Sequence, residues 1–223
     1  ISVMAKNAKK SRKRFSGLLE PFCELQVVCR TVRNAGMPIL QEAAMQSPFA
    51  NIRGNVTKTA YAAYWTELTH GWLEDLKPQP LIYDLLHYSL NALDKDLQAA
   101  DVVSIIFQVR FIRLSGFSPE LKNCQACGRL LDRMPGNAVI LDLEKGGIVC
   151  HGCSPGENRY RLAMSKGSIK DLAWIRDYDI PAVERLRLTP KSTREALRAM
   201  ESFVPYHLGR VPRSLVFLNQ MRK

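Results

Sequence analysis

The sequence predicts an α+β chain: a strand-rich N-terminal piece, then a mostly α-helical domain into which a small four-cysteine ribbon is set. Three observations carry this reading. Apolar residues alternate with period two through residues 22–32. From about residue 51 the apolar spacing changes to three and four. Two Cys-x-x-Cys pairs, Cys124/Cys127 and Cys150/Cys153, flank a segment patterned as a hairpin and are separated by 22 residues.

Taken in order, residues 1–5 can end one strand, residues 22–32 form a second, and residues 37–45 a third after the Asn34-Ala35-Gly36 turn. Cys23 and Cys29 lie on one strand face, too far apart to bridge, and are expected as small core residues. Asn51 or Asn55 can cap a long helix through residue 76, with Ala60, Ala63, Tyr64, Leu68 and Trp72 at helical spacing. Trp65 and Trp72 share a face, which points to core packing. Pro78 and Pro80 break that helix and open the next, residues 81–97. Asp101 is expected to cap a very apolar helix, 102–115, stopped by Gly116. After the cysteine segment, helices are expected at 168–177, 180–187 and 190–208, the last capped by Thr189 and kinked or shortened by Pro205. A final segment, 212–221, places Leu215, Phe217, Leu218 and Met221 on one apolar face.

Between the cysteine pairs, residues 138–143 alternate, and Lys145-Gly146-Gly147 turns the chain into residues 148–150. Two thiolates at i and i+3 bite one ion from a tight turn, and a second such turn completes a tetrahedral sulfur site. Soft sulfur ligands favour Zn²⁺ over Mg²⁺ or Ca²⁺, with iron as the minority alternative. Four cysteines (Cys124, Cys127, Cys150, Cys153) fill the coordination shell, so the predicted zinc is structural. His151 reads as a solvated residue of the second turn. A redox pair normally sits in a βαβ context, which is not visible here. The zinc-deaminase, HExxH, P-loop, GxGxxG and GxSxG patterns are absent, and the chain reads as a non-enzyme.

The 223-residue chain carries a net charge of +11, and the distribution is uneven. Residues 1–60 hold 10 Lys/Arg against 3 Asp/Glu, and residues 154–223 hold 14 against 7. Residues 61–123 hold 5 against 8, and residues 124–153 are neutral. Basic ends around an acidic middle point to a polyanionic partner, most plausibly nucleic acid. The densest run is residues 6–14, with six basic residues in nine. A charge run is commonly a solvated loop, but its density and its place between strands favour phosphate contact. No apolar run approaches the roughly 20 residues that span a bilayer. The chain opens Ile1-Ser2-Val3-Met4, so further residues are expected ahead of it.

Several stretches carry a family resemblance. Ala5-Lys6-Asn7-Ala8 with its basic tail is similar to an AKGA-plus-basic segment, and Gly17-Leu18-Leu19-Glu20-Pro21-Phe22 to GxLEPF. Leu114-Ser115-Gly116-Phe117-Ser118-Pro119-Glu120-Leu121 followed by Cys124 resembles LGFxPxLxxCxxCG, the most specific match. His207-Leu208-Gly209-Arg210 with Arg213-Ser214 resembles HLGRxLKS. Asn7 stands where that pattern has glycine, and Pro212 where it has leucine. These segments resemble the RecO family of bacterial recombination mediators, over nearly the whole chain. The resemblance implies residues 1–48 as the later part of an OB-fold barrel, residues 49–122 and 155–223 as a helical domain, and residues 123–154 as a zinc-ribbon insertion. It also implies binding of single- and double-stranded DNA, annealing of complementary strands, and assistance to RecA loading. The implied partners are RecR and the C-terminal tail of single-stranded DNA-binding protein (SSB), the latter on the helical domain, and the implied location is the cytoplasm, with the nucleoid.

Annealing needs no nucleophile. It needs cations that reduce repulsion between two polyanions while leaving base edges free. Lys6, Lys9, Lys10, Arg12, Lys13 and Arg14 suit that task, with Arg30 and Arg33 as neighbours. Arg159, Arg161, Lys166, Arg185, Arg187, Arg194, Arg198, Arg210 and Arg213 either extend such a surface, receive an acidic peptide, or are solvated helix faces. The alternative reading is a zinc-stabilised scaffold for protein partners with only secondary DNA contact.

Overall fold

The computed structural model describes residues 2–6, 8, 15, 17–32, 36–73, 77–154, 156 and 158–222. Lys9, Lys10, Arg12, Lys13, Arg14 and Arg33 lie outside the described residues.

Two strands, β1 (Glu24–Val32) and β2 (Gly36–Ser47), pair antiparallel with Glu24 opposite Ser47 and Cys29 opposite Leu40. The register slips between Val28 and Cys29, so the hairpin twists there. The expected first strand is reduced to one parallel bridge. Met4 donates from its backbone N–H to the Pro38 carbonyl (2.7 Å) and accepts from Leu40 N–H (3.0 Å). Among the described residues these strands do not close into a barrel. Leu40 and Phe15 are buried, whereas Val27, Val28 and Met37 are exposed. A two-stranded sheet leaves much of its surface open, so Cys23 and Cys29 are half-buried and not in the core as expected. The foot of the hairpin is tied down: Arg53 donates to the carbonyls of Pro48 (2.6 Å) and Pro21 (3.3 Å).

Of the two expected caps, Asn55 starts the long helix, and a separate short turn precedes it. A short turn, α1 (Ala50–Arg53), has its N–H groups at Asn51 and Ile52 satisfied by the Asp94 carboxylate (2.8 and 3.2 Å). Asn55 then caps α2 (Val56–Trp72), accepting from Thr57 and Lys58 N–H. Pro80 occupies the first turn of α3 (Pro80–Asp94), where its missing N–H costs nothing.

Helix α4 (Ala100–Leu114) is the axis of the helical part. Val103, Ile105, Ile106, Phe107, Val109, Phe111 and Ile112 are all buried. Its cap is Ala99 and not Asp101; Asp101 lies in the first turn, where its negative charge suits the helix dipole, and accepts from the Tyr61 hydroxyl. Gly116, at φ 83°, ends the helix as expected.

Beyond the cysteine segment, β3 (Ala138–Asp142), β4 (Gly147–Val149) and β5 (Arg161–Ser165) form an antiparallel sheet in the order β4-β3-β5. Helix α5 (Lys166–Asp177) follows, then the short α6 (Ile180–Val183). Helix α7 (Pro190–Leu208) is capped by Thr189 and runs through Pro205 without stopping; the ring is buried, and only the last turn follows it. Helix α8 (Arg213–Met221) buries Leu215 and Leu218 but leaves Phe217 and Met221 exposed. Residues two apart sit roughly 200° round a helix, so the expected four-residue face does not hold together. No helix among the described residues is long and apolar enough to cross a membrane.

Helix α8 is fixed at its start by Glu67 of α2, whose carboxylate accepts from the N–H groups of Arg213 (3.1 Å) and Ser214 (2.9 Å) and from the Ser214 hydroxyl. Burial raises the Glu67 pKa, but these hydrogen bonds and nearby Arg210 outweigh it and the net shift is downward. A lowered carboxylate pKa contributes stability that is present above the unfolded value of about 4.3 and is lost as pH falls through the folded one. Glu67→Ala should therefore cost about 1 kcal/mol at neutral pH. In urea denaturation the gap to wild type should close as the solution is acidified below pH ~4.

Candidate metal site and cationic surfaces

The first cysteine turn is built against β4. Glu120 N–H donates to the Gly146 carbonyl, its own carbonyl accepts from Ile148 N–H, and Gln125 N–H donates to the Ile148 carbonyl, each at 2.9 Å. Gly147 is required by this contact: a Cβ there would lie 2.7 Å from the Glu120 carbonyl oxygen. Gly128, at φ 71°, closes the turn by donating to the Cys124 carbonyl (2.9 Å). The second turn, from His151 to Cys153, is a single 3₁₀ turn directly after β4, closed by Cys153 N–H on the Cys150 carbonyl (2.9 Å). The hairpin between them brings the two turns face to face.

The sulfurs of Cys124, Cys127, Cys150 and Cys153 all lie within 4.8 Å of one another. Cys127 Sγ and Cys150 Sγ are 3.8 Å apart. A tetrahedral ion with bonds of about 2.3 Å sets its sulfurs about 3.8 Å from each other, so the set fits one soft ion. Cys124 and Cys150 are buried, Cys153 is half-buried and Cys127 is exposed. His151 is exposed and outside the cluster. Burial alone would push the Cys124 thiol up, but backbone N–H groups of Cys150, Ala126 and Cys127 and the Cys127 thiol hold it down at about 6. Cys153 is pushed up to about 12 by hydrogen bonding to Cys150 and Cys127. Four sulfurs this close cannot all carry charge unaided, and a divalent cation removes that conflict.

Of the sequence-predicted cations, Lys6 and Arg30 are described and both are exposed. The basic residues of the C-terminal third separate into groups. Arg161 is paired with buried Asp142 (3.0 Å). Lys166 donates to the Met134 carbonyl, Arg185 to that of Pro181 and Arg187 to that of Glu184. Arg210 lies over Gly71, where a Cβ would collide with its guanidinium at 1.8 Å. In the helical middle, Arg110 and Arg113 donate to the carbonyls of Tyr178 and Arg176, at the C-terminal end of α5. Arg159, Arg194 and Arg198 are exposed, and no described carboxylate pairs with them. Sequence reading missed β5; its short alternation, Leu162 and Met164 buried around Ala163, was the available signal.

Among the described residues, a helical core, a two-stranded hairpin and a four-thiol cluster describe a protein of small modules. The family models agree in detail: "Recombination protein O N terminal" matches residues 1–49 and "Recombination protein O C terminal" matches residues 53–215. The chain belongs to the recombination protein O (RecO) family. It is 44% identical over 227 residues to the DNA repair protein RecO of Desulfosudis oleivorans, covering 100% of this chain and 87% of that protein. With the DNA repair protein RecO of Desulfatibacillum aliphaticivorans it shares 37% identity over 227 residues, covering 100% and 86%. With that of Bacillus pumilus the figures are 28% over 221 residues, 99% and 83%.

Cys124 Sγ accepts a hydrogen bond from the buried Cys150 N–H (3.4 Å). Cys124→Ala strands that donor and should cost about 1–3 kcal/mol even in chelator-treated protein. Cys127→Ala, at an exposed position, should cost measurably less under the same conditions. Urea titration of both variants checks the order.

Proposed function

We propose that this chain is a DNA repair protein that acts by binding rather than by covalent chemistry. It holds single- and double-stranded DNA through backbone phosphates and anneals complementary strands. With RecR and the SSB C-terminal tail it assists RecA loading, working in the cytoplasm at the nucleoid. The observation that carries this is the charge pattern of a RecO-family chain: basic ends, 10 against 3 and 14 against 7, around an acidic middle of 5 against 8. Cations at surface positions neutralise phosphates and release counterions without reading base edges. Lys6, Lys9, Lys10, Arg12, Lys13 and Arg14 are assigned this role, with Arg30 and Arg33 beside them.

The domain scheme is residues 1–48 as part of an OB-fold barrel, 49–122 and 155–223 as the helical domain, and 123–154 as the cysteine ribbon. Zinc is assigned to Cys124, Cys127, Cys150 and Cys153, where it would supply a structural cross-link. The chain's own contribution there is to hold two turns in facing positions and to donate backbone N–H groups to the sulfurs.

Reversing Lys9, Lys10, Arg12, Lys13 and Arg14 to Glu should slow annealing of complementary oligonucleotides more than tenfold. Little change would favour the scaffold reading. Cobalt(II) titrated into metal-free protein should give intense thiolate-to-metal absorption of a four-sulfur site. A spectrum of weak, water-ligated cobalt would contradict the assignment. Because the ligands must be deprotonated, acidification should release the ion.

A further inference from the structure

The cysteine turn, the β-sheet and α7 enclose a cleft of about 770 Å³ that none of the foregoing uses. Its lining includes Ile140 of β3, Leu162 and Ala163 of β5, His151 and Asn158, and its cations are Arg159, Arg161 and Arg198. These groups are not equivalent. Arg161 is spent on Asp142, which is itself only 1% exposed, so that pair contributes little free charge to the cleft. Arg159 and Arg198 are exposed and have no described carboxylate partner. The two carboxylates that flank Arg198 along α7 are committed elsewhere: Glu195 accepts from Ser165 N–H and the Ser165 hydroxyl, both at 2.8 Å, and Glu201 pairs with Arg222. Glu144 accepts from the Asn158 amide at 3.2 Å.

We infer that this cleft is a second site for the phosphodiester backbone of a nucleic-acid strand, separate from the N-terminal basic run. Three features favour a strand. Arg194 and Arg198 lie one turn apart on α7, a separation of roughly 6 Å along the axis, which suits successive phosphates of an extended strand. The Arg159 guanidinium sits 4.5 Å over the Tyr160 ring, and Tyr160 in turn packs on Tyr206, 38% exposed, at 5.3 Å. That places an aromatic surface beside the cations, the combination that holds single strands without reading sequence. The lining is mostly polar, with His151, Ser154, Asn158 and three arginines against Ile140, Leu162 and Ala163, which suits a charged backbone better than an apolar peptide side chain. The cleft draws on β3, β5, the second cysteine turn and α7, whereas the β1–β2 hairpin rests on α1 and α3 through Arg53, Tyr83 and His87. Together with the basic run of residues 6–14 in the sequence, the cleft would give one chain a place for each of two strands. The inference rests on the DNA-binding reading above and adds a location to it.

The test uses the full chain, metal-loaded, with a labelled single-stranded oligonucleotide followed by fluorescence anisotropy across salt concentrations. Each phosphate contact on a single strand contributes about 0.7 to the slope of log affinity against log salt. R159E/R198E should therefore lower the slope by about 1.4 and weaken binding about five- to tenfold at moderate salt. R159Q/R198Q should move both in the same direction by less, and it serves if the reversal variant melts early by circular dichroism. Unchanged affinity and slope in folded R159E/R198E, with the N-terminal reversal still weakened, overturns the cleft and leaves the DNA-binding reading standing. Both sets unchanged removes the DNA-binding reading as well. If instead an Asp/Glu-rich peptide loses binding to R159E/R198E while the DNA slope holds, the cleft is a peptide site and the inference is wrong.

Discussion

The burial of α4 is the constraint on which the rest of the molecule depends. A helix apolar on nearly every side has to be covered on every side. Helices α2, α3, α5 and α7 pack around it, with Trp65 stacked on Phe107 (5.6 Å) and Phe107 on Phe111 (5.6 Å). The two polar side chains at its centre are matched. Gln108 accepts from the Tyr64 hydroxyl (2.9 Å), and Ser104 accepts from the Trp65 indole (3.3 Å). An unmatched group at either place would cost on the order of 1–3 kcal/mol, which fixes the rotation of α2 against α4 more tightly than apolar contact alone.

With its middle committed to this core, the chain carries its charge at the periphery. The cysteine ribbon is too small to stand alone, since strands of five and three residues bury little. It is held in two ways: Val139, Leu141, Ile148 and Val149 join the main core, and four thiols sit within reach of one ion. Strand β5 completes its sheet and leads directly into α5, so the ribbon is continuous with the helical body. That continuity is what sets the second cysteine turn opposite α7 and forms the cationic cleft between them.

Local chemistry was well written in the sequence. The four cysteines, Asn55 and Thr189 as caps, Gly116 as a stop and the hairpin between the turns follow from spacing and side-chain type alone. What the sequence did not show was decided by long-range partners. Asp94 lies 43 residues from Asn51, and its carboxylate caps the start of α1. Phe217 and Met221 carry the right chemistry for burial but face outward, because α8 presents only Leu215 and Leu218 to the core. Pro205 reads as a helix breaker, yet tertiary packing over its ring carries α7 on to Leu208. The arginines were countable from sequence, whereas which were paired depended on the fold: Asp142 and Arg161 become partners only when β3 and β5 align.

In the proposed role, surface cations carry the binding, with no need for base-reading contacts or covalent chemistry. The most direct measurement is the affinity of the metal-loaded wild-type chain for two single-stranded oligonucleotides of unrelated sequence, across a range of salt concentrations. Binding through backbone phosphates gives a steep linear fall of log affinity with log salt, the same for both sequences. Affinity that barely changes with salt, or that separates the two sequences, would contradict it.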